Sequence, residues 1–400
     1  MKSTSEIKAL AKHLFSANRR EKVQILAKEG LLALLPRNDA GTLDLSRLPP
    51  DPAVHTWKSE QSRAIDADFY RRATVRQVED HLVDDSVIVA AHDHELHQLY
   101  GATSYTNEST HRTIFDRTGQ RIDSLSYRRP NTRGTARRRL GVARTVSGVT
   151  ANLYGTKACA EGNYAHWLVD AVARLFMIEQ THRLEDVDYV LVPPLKYDFQ
   201  WDSLAALGFG RDRVVQLKPL ECLQFECLLA SSSPRGKGSA ICPDWVVDRY
   251  HETLFSGAAA VPSLAGKRVY ISRRDAPNRK FLNEDEVCEV LSNRGFDIVE
   301  LSPLDLWSKI AVFRDADCII SQTGAGLTNL MFCQSGAKVV ELVDTGFVYP
   351  MYASLAAYRG AIHHAHYFSN DSALGRVNTV VAKSSLNVEA LTRFLDELQI

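Results

Sequence analysis

The feature that most constrains this 400-residue chain is the alternation of short apolar runs with helix-spaced segments in its last third. Residues 268–272 read as a strand, 284–294 as a helix stopped by Gly295, 297–300 as a strand and 304–313 as a helix. A strand at 318–321, a glycine turn, a helix at 327–333 stopped by Gly336 and a strand at 338–342 follow. Short apolar strands separated by helices pair in parallel through right-handed crossovers, which predicts an α/β sheet of the nucleotide-binding type.

The same alternation begins near residue 145, with strands at 146–153, 189–192 and 225–230 and a helix at 163–180. The segment 231–240, SSSPRGKGSA, reads as a linker near a domain boundary. Upstream, Ile7, Leu10, Leu14, Val23, Leu26 and Leu31 fall at helical spacing, and Pro49, Pro50 and Pro52 end that region. A strand at 87–91 leads into His92, Asp93, His94, Glu95 and His97, which read as a solvated loop or as metal ligands. Residues 128–144 hold seven arginines, including Arg128, Arg133 and Arg144, either a solvated loop or a site for anionic groups.

Charge narrows the function classes. With 48 basic and 48 acidic residues the net charge is zero, which argues against a whole-surface polyanion partner. Seven cysteines without a CxxC pair read as reduced, buried thiols of a cytoplasmic protein rather than as a disulfide or zinc framework. No run approaches a membrane span, and the first 30 residues lack the apolar core of a secretory signal.

Two constellations carry chemistry. The turn from Ser321 to Asn329 joins a strand's carboxyl end to a helix's amino end, where backbone amides and the helix dipole favour an anion such as a diphosphate. Tight strand-to-helix packing is the structural alternative for such a turn. Arg273 and Arg274, just beyond the first strand of this region, are placed to reach phosphate oxygens, and Glu341 is an acceptor for ribose hydroxyls. On the 163–180 helix, His166, Asp170 and Arg174 recur every four residues on one face, with Leu168, Val172 and Leu175 toward the other. Such a pair of His and Asp serves as a general base or as a polar stripe bridging helices.

The strings NYAHWLVDAVARL, YISRRDAPNRKFLNEDEV and RDADCIISQTGAGLTNLMFCQSGAKVVELV, in that order, resemble glycosyltransferase family 61, whose bacterial members include capsular polysaccharide biosynthesis proteins. The resemblance covers roughly residues 145 to 345. One departure is Gln322-Thr323 where many members carry a Pro-His pair.

The resemblance implies a GT-B architecture, two Rossmann-like domains facing a cleft, here with an N-terminal helical extension. Its division would be 1–52 for the extension, 53–240 for the acceptor side and 241–385 for the donor side. A C-terminal helix at 386–400 is expected to pack back on the N-terminal domain. The implied reaction is an inverting, metal-independent transfer of a sugar, with a UDP-sugar as the foremost donor, to a hydroxyl of a glycan or lipid-linked glycan in bacterial capsule or surface-polysaccharide synthesis. Neither metal nor other cofactor is expected. Gly324, Ala325, Gly326, Leu327 and Asn329, with Arg273, Arg274 and Glu341, would hold the donor; Asn163 and Arg174 would touch acceptor or phosphate. Asp170, with His166 orienting it, or His166 itself, would take the acceptor proton. The Asp315-Ala316-Asp317 triplet precedes its strand, unlike a metal-binding DxD. The expected setting is the cytoplasm, with peripheral contact at the inner membrane face, no nucleic acid, and a second copy of the chain as partner. The rival reading is an inactive nucleotide- or glycan-binding scaffold of the same fold; a nicotinamide-dependent oxidoreductase is a third.

Overall fold

The computed structural model describes residues 53–58, 93–106, 112–126 and 144–400, apart from gaps at 118, 120, 236–240, 277, 345–346, 348 and 369–383. The expected helical extension, the 87–91 strand, His92 and most of the arginine-rich segment lie outside the described residues.

Two sheets organise the chain. Strands β1 (Ala53–Lys58), β2 (Asp93–Tyr100), β3 (Thr103–Thr106), β4 (Arg112–Phe115), β5 (Arg144–Asn152), β6 (Tyr189–Val192), β7 (Val214–Gln216) and β8 (Cys222–Ser231) form the first. Its order is β1-β2-β8-β5-β6-β7, with β3 and β4 extending from β8. Only β5 to β8 pair in parallel with one another; β1 to β4 pair antiparallel, so antiparallel strands extend the parallel part of this sheet and make it mixed. Only five residues separate β3 from β4, too few for the crossover a parallel pair needs, so the two pair antiparallel.

The second sheet matches its sequence pattern. Strands β9 (Arg268–Ser272), β10 (Asp297–Glu300), β11 (Cys318–Gln322), β12 (Lys338–Asp344) and β13 (Ile362–Phe368) run parallel in the order β10-β9-β11-β12-β13. Numbered within the sheet, this is 2-1-3-4-5, whose strand order reverses between β9 and β11. Connections leave that point in opposite directions, opening a crevice beyond the strands' carboxyl ends.

One apolar cluster joins the two halves. Trp167 and Phe176 from the 164–178 helix, Tyr250 and Leu254 from the helical stretch 244–258, and Ile271, Ile319, Phe332 and Tyr352 from the second half are all buried in it. Trp167 buries its large ring while its indole N–H donates to Ser203 Oγ at 2.8 Å, so the polar edge is satisfied. Every residue from Trp167 to Ile178 is buried, so this helix has no solvent face and the expected polar stripe is an interior one.

The C-terminal helix, Val388–Glu397, packs on the second sheet rather than back on the first half. Its Leu391 and Leu395 join Val287, Leu291 and Phe296, and Arg294 donates to the Ile400 carbonyl at 2.9 Å and pairs with Asp396. A helix with leucines four apart buries that stripe against the nearest apolar surface, here the 284–293 helix.

The His94 and His97 region also departs from expectation. It is strand β2 and not a loop, and both imidazoles are buried, His97 against Glu95 at 3.1 Å and His94 edge-on to Trp245. Among the described residues no group of three or more His, Cys, Asp or Glu side chains is placed to hold a metal ion. All seven cysteines are free thiols. Among the described residues no helix is long and apolar enough to cross a membrane.

Candidate functional site: a charged dyad facing a glycine turn

The first half of the site starts at a helix cap. Asn163 has extended backbone, and its side-chain oxygen accepts the His166 amide at 3.2 Å, satisfying an amide that the helix leaves without a partner. The helix then widens into a π-helical stretch, Trp167–Val172, before resuming at Ala173–Ile178. Such wide turns store an irregularity that ordinary helix would shed, and they recur at functional sites. Asp170 lies in this stretch. Its carbonyl presses on Gly155, where a Cβ would stand 2.9 Å away, and accepts Arg174 Nε at 2.8 Å.

The Asp170 carboxylate is 1% exposed and fully engaged. Oδ2 lies 2.5 Å from His166 Nδ1, and Arg235 grips both oxygens, Nε on Oδ1 at 2.7 Å and Nη2 on Oδ2 at 2.8 Å. A fork-on-carboxylate pair of this kind is the strongest ion-pair geometry available to arginine. Burial by itself raises the Asp170 pKa, but the Arg235 charge and the His166 hydrogen bond override it and hold the carboxyl well below the usual range. The His166 side chain keeps 32% of its surface exposed, so it is the open end of the pair.

Arg235 was hidden in the segment read as a linker. The structure buries it between the halves, with Nη1 donating to the Tyr349 hydroxyl at 2.7 Å. A serine- and glycine-rich composition masks such a residue, because it describes the loop and not the one side chain that turns inward. Arg174, expected to touch acceptor or phosphate, is buried and donates to the carbonyl oxygens of Asp170, Ser231 and Ser232. It braces the helix against the end of β8.

The second half of the site lies at the switch point between β9 and β11. Thr323 to Gly326 leave β11 and enter a 3-10 helix, Ala325–Phe332, where the sequence predicted an α-helix at 327–333. Its residues Leu327 to Phe332 are all buried, and tight packing favours the narrower helix. Gly324 has extended backbone, so its need is space: a Cβ would fall 1.9 Å from Arg273 Nη1. Gly326 likewise admits Leu301, at 2.7 Å from a built Cβ.

Arg273 lies over this turn. Its Nε and Nη2 donate to the Arg279 and Asn278 carbonyls at 3.0 and 2.9 Å, which leaves Nη1 directed at Gly324. Arg279, unforeseen in the sequence, has left-handed backbone at φ 54° and stacks 4.7 Å over Phe347. No ion pair joins either guanidinium to a carboxylate among the described residues. Burial lowers both pKa values, and the Arg279 charge lowers that of Arg273 further. Two partly desolvated cations without a carboxylate ion pair among the described residues, beside the first amides of a helix, form an anion site. Arg274 is not part of it; that side chain pairs with Asp285 on the surface.

Glu341 sits one strand over, 3% exposed. Oε1 accepts the Thr323 hydroxyl at 2.7 Å and Oε2 lies 2.9 Å from His363 Nε2. Asn329 is fully buried, its Nδ2 on the Gly326 carbonyl at 2.9 Å and its Oδ1 accepting the Tyr164 hydroxyl at 2.6 Å. That last bond ties the helix of His166 to the turn of Gly324, so the two half-sites face each other. The Asp315 and Asp317 carboxylates lie at the opposite edge of the sheet, before β11, bonded to Arg314 and Gln334.

Fold and site together define an α/β protein with an anion-receptive turn at a sheet switch point, opposed by a buried His, Asp and Arg cluster. Residues 164–340 match the family model of glycosyltransferase 61. A beta-1,2-xylosyltransferase of Oryza sativa subsp. japonica is 35% identical over 86 residues, 21% of this chain and 15% of that protein. An EGF domain-specific O-linked N-acetylglucosamine transferase of Drosophila melanogaster is 37% identical over 78 residues, 19% of this chain and 15% of that protein. The matched part thus spans about 15% of the length of these relatives.

Proposed function

We propose that this protein is an inverting glycosyltransferase of GT-B type that moves a sugar from a nucleotide sugar, a UDP-sugar foremost, to a hydroxyl of a glycan acceptor without a metal ion. The observation that carries the reading is the opposition of the His166 and Asp170 pair to the Arg273 and Arg279 pair, held in register by Tyr164 and Asn329. The family match and the names of both relatives support sugar transfer. For the acceptor we propose a bacterial surface polysaccharide, supported by the resemblance to capsule-synthesis members; the two relatives come from rice and fruit fly.

In this mechanism His166 Nε2 takes the acceptor proton. The freed oxygen forms a bond to the anomeric carbon as the bond from that carbon to the diphosphate oxygen breaks on the opposite face. Asp170 stays ionised, because Arg235 and His166 hold its carboxyl too acidic to keep a proton; it fixes the imidazole tautomer and steadies its positive charge. The diphosphate charge falls on Arg273, Arg279 and the amides of residues 324–326, the work a metal does in other transferases. Glu341, engaged by Thr323 and His363, holds the turn from below and accepts hydrogen bonds from the ribose hydroxyls.

The test is a thermal-shift screen of UDP, GDP, CMP and dTDP with excess EDTA, followed by transfer assays with sugars of the stabilising nucleotide. The reading expects one nucleotide to raise the Tm in chelator and a product of inverted anomeric configuration. Transfer that requires manganese contradicts the metal-independent part, and a retained configuration contradicts the single displacement.

A further inference from the structure

The site as described has a donor side and a base but no surface for the acceptor sugar. The loop after β6 supplies a candidate. β6 lies between parallel β5 and β7, so residues 193–199 leave a carboxyl end of the parallel strands, the edge where ligands of α/β sheets bind. This loop is pinned rather than loose. Leu195 N donates to Gln216 Oε1 at 2.8 Å, and the amides of Lys196 and Tyr197 both donate to the buried Gln200 side chain, at 2.8 and 3.1 Å.

Pinned in this way, the loop presents Tyr197 with 50% of its surface exposed. The ring stacks on Phe199, centroids 5.6 Å apart and planes 11° from parallel, and Phe199 in turn meets Tyr164 edge-on at 4.9 Å. Tyr197 also covers Gly162, where a Cβ would stand 2.4 Å from Cε2; the backbone there is left-handed at φ 81°. Gly162 immediately precedes the Asn163 cap, so the ring that covers it lies at the amino end of the helix that carries His166. Three aromatic rings therefore run from Asn329 beside the glycine turn, through Tyr164 and Phe199, to an open face at Tyr197.

We propose that Tyr197 is the stacking platform of the acceptor subsite, binding the pyranose ring whose hydroxyl is turned to His166. The inference rests on the transferase reading above and adds the acceptor class and its contact residue. A pyranose shows a patch of axial C–H groups with partial positive charge, which the negative face of a phenol ring attracts, while the hydroxyls stay in water. A pinned ring loses little freedom on binding, so the contact is preorganised.

The test compares the wild type with Tyr197→Leu, which still fills the space over Gly162 but has no π face, and Tyr197→Trp, which keeps one. Methyl β-D-glucopyranoside, galactopyranoside, mannopyranoside and xylopyranoside are used as probes in saturation-transfer NMR. The accepted one then serves in transfer assays, beside UDP affinity and UDP-sugar hydrolysis without acceptor. The expected result is a tenfold or greater rise in acceptor KM and loss of the NMR signal for Tyr197→Leu, near-normal values for Tyr197→Trp, and unchanged UDP affinity and hydrolysis in both. An unchanged acceptor KM in Tyr197→Leu overturns the platform. So does a wild type that binds no methyl pyranoside, or a Tyr197→Leu variant that loses Tm, UDP affinity and acceptor affinity together. Failure of every nucleotide to bind the wild type overturns the transferase reading instead, which keeps the two failures apart.

Discussion

The two half-sites handle charge in opposite ways. Around Asp170 every charge is answered: Arg235 forks onto both carboxylate oxygens, His166 completes the set and Tyr349 takes the remaining guanidinium nitrogen. Around Gly324 the cations Arg273 and Arg279 touch carbonyl oxygens and an aromatic face, with Asp275 and Asp344 near enough only to temper them. A closed network fixes geometry in the free protein, whereas an open one gains its partner with the ligand. The difference assigns roles: the closed half holds a base in place, and the open half receives an anion.

The largest effect expected from breaking this contrast falls on His166. His166→Ala should lower transfer by about 10² to 10⁴-fold, the usual weight of general-base catalysis, and leave UDP affinity unchanged; single-turnover rates and calorimetry check both. Next comes Arg235→Met, which strands the buried Asp170 charge and should cost about 3 to 5 kcal/mol of stability in denaturant titration. Arg273→Met removes a cation that has no carboxylate to abandon. It should weaken UDP binding by about 10 to 100-fold, the worth of one charge-assisted hydrogen bond, without lowering the Tm.

A smaller and pH-dependent effect follows from Asp170. Because its folded pKa is depressed, its contribution to stability is complete above the ordinary carboxylate value of about 4 and is lost as pH falls toward the folded value. Melting curves between pH 2.5 and 6 should show an acid-side loss in the wild type that Asp170→Asn lacks. The smallest effect belongs to Thr323→Val, which removes one hydrogen bond to Glu341 and should cost about 1 kcal/mol in UDP binding by calorimetry.

Much of the second half was legible in the sequence because its signals are local. Strands β9 and β10 fall where the apolar runs placed them, and the glycine turn sits at the strand end that its spacing implied. His166 and Asp170 were legible too, since i and i+4 positions meet on any helix. Arg235, Arg279 and Tyr349 were not. Each sits in a loop and becomes a site residue only through contacts 65 or more residues away or through a turn whose backbone the sequence does not announce. The antiparallel part of the first sheet was missed for a related reason. The strands β1 to β4 intersperse polar and charged residues among their apolar ones, and their pairing partners, such as Ala230 for His97, are far along the chain. Arg274 shows the converse error: adjacent arginines look equivalent in sequence, yet the turn that follows β9 sends one to the glycine turn and the other to Asp285.

The contrast between the closed and the open half-site is tested most directly by measuring Tm and UDP affinity, in EDTA, on Arg235→Met and Arg279→Met side by side. A crossed pattern is predicted: Arg235→Met melts well below the wild type and its folded fraction still binds UDP, whereas Arg279→Met melts at or above the wild type and binds UDP at least tenfold more weakly. Equal losses of stability and of UDP affinity in the two variants would contradict the division of the site into a prepaired base and an anion-receiving turn.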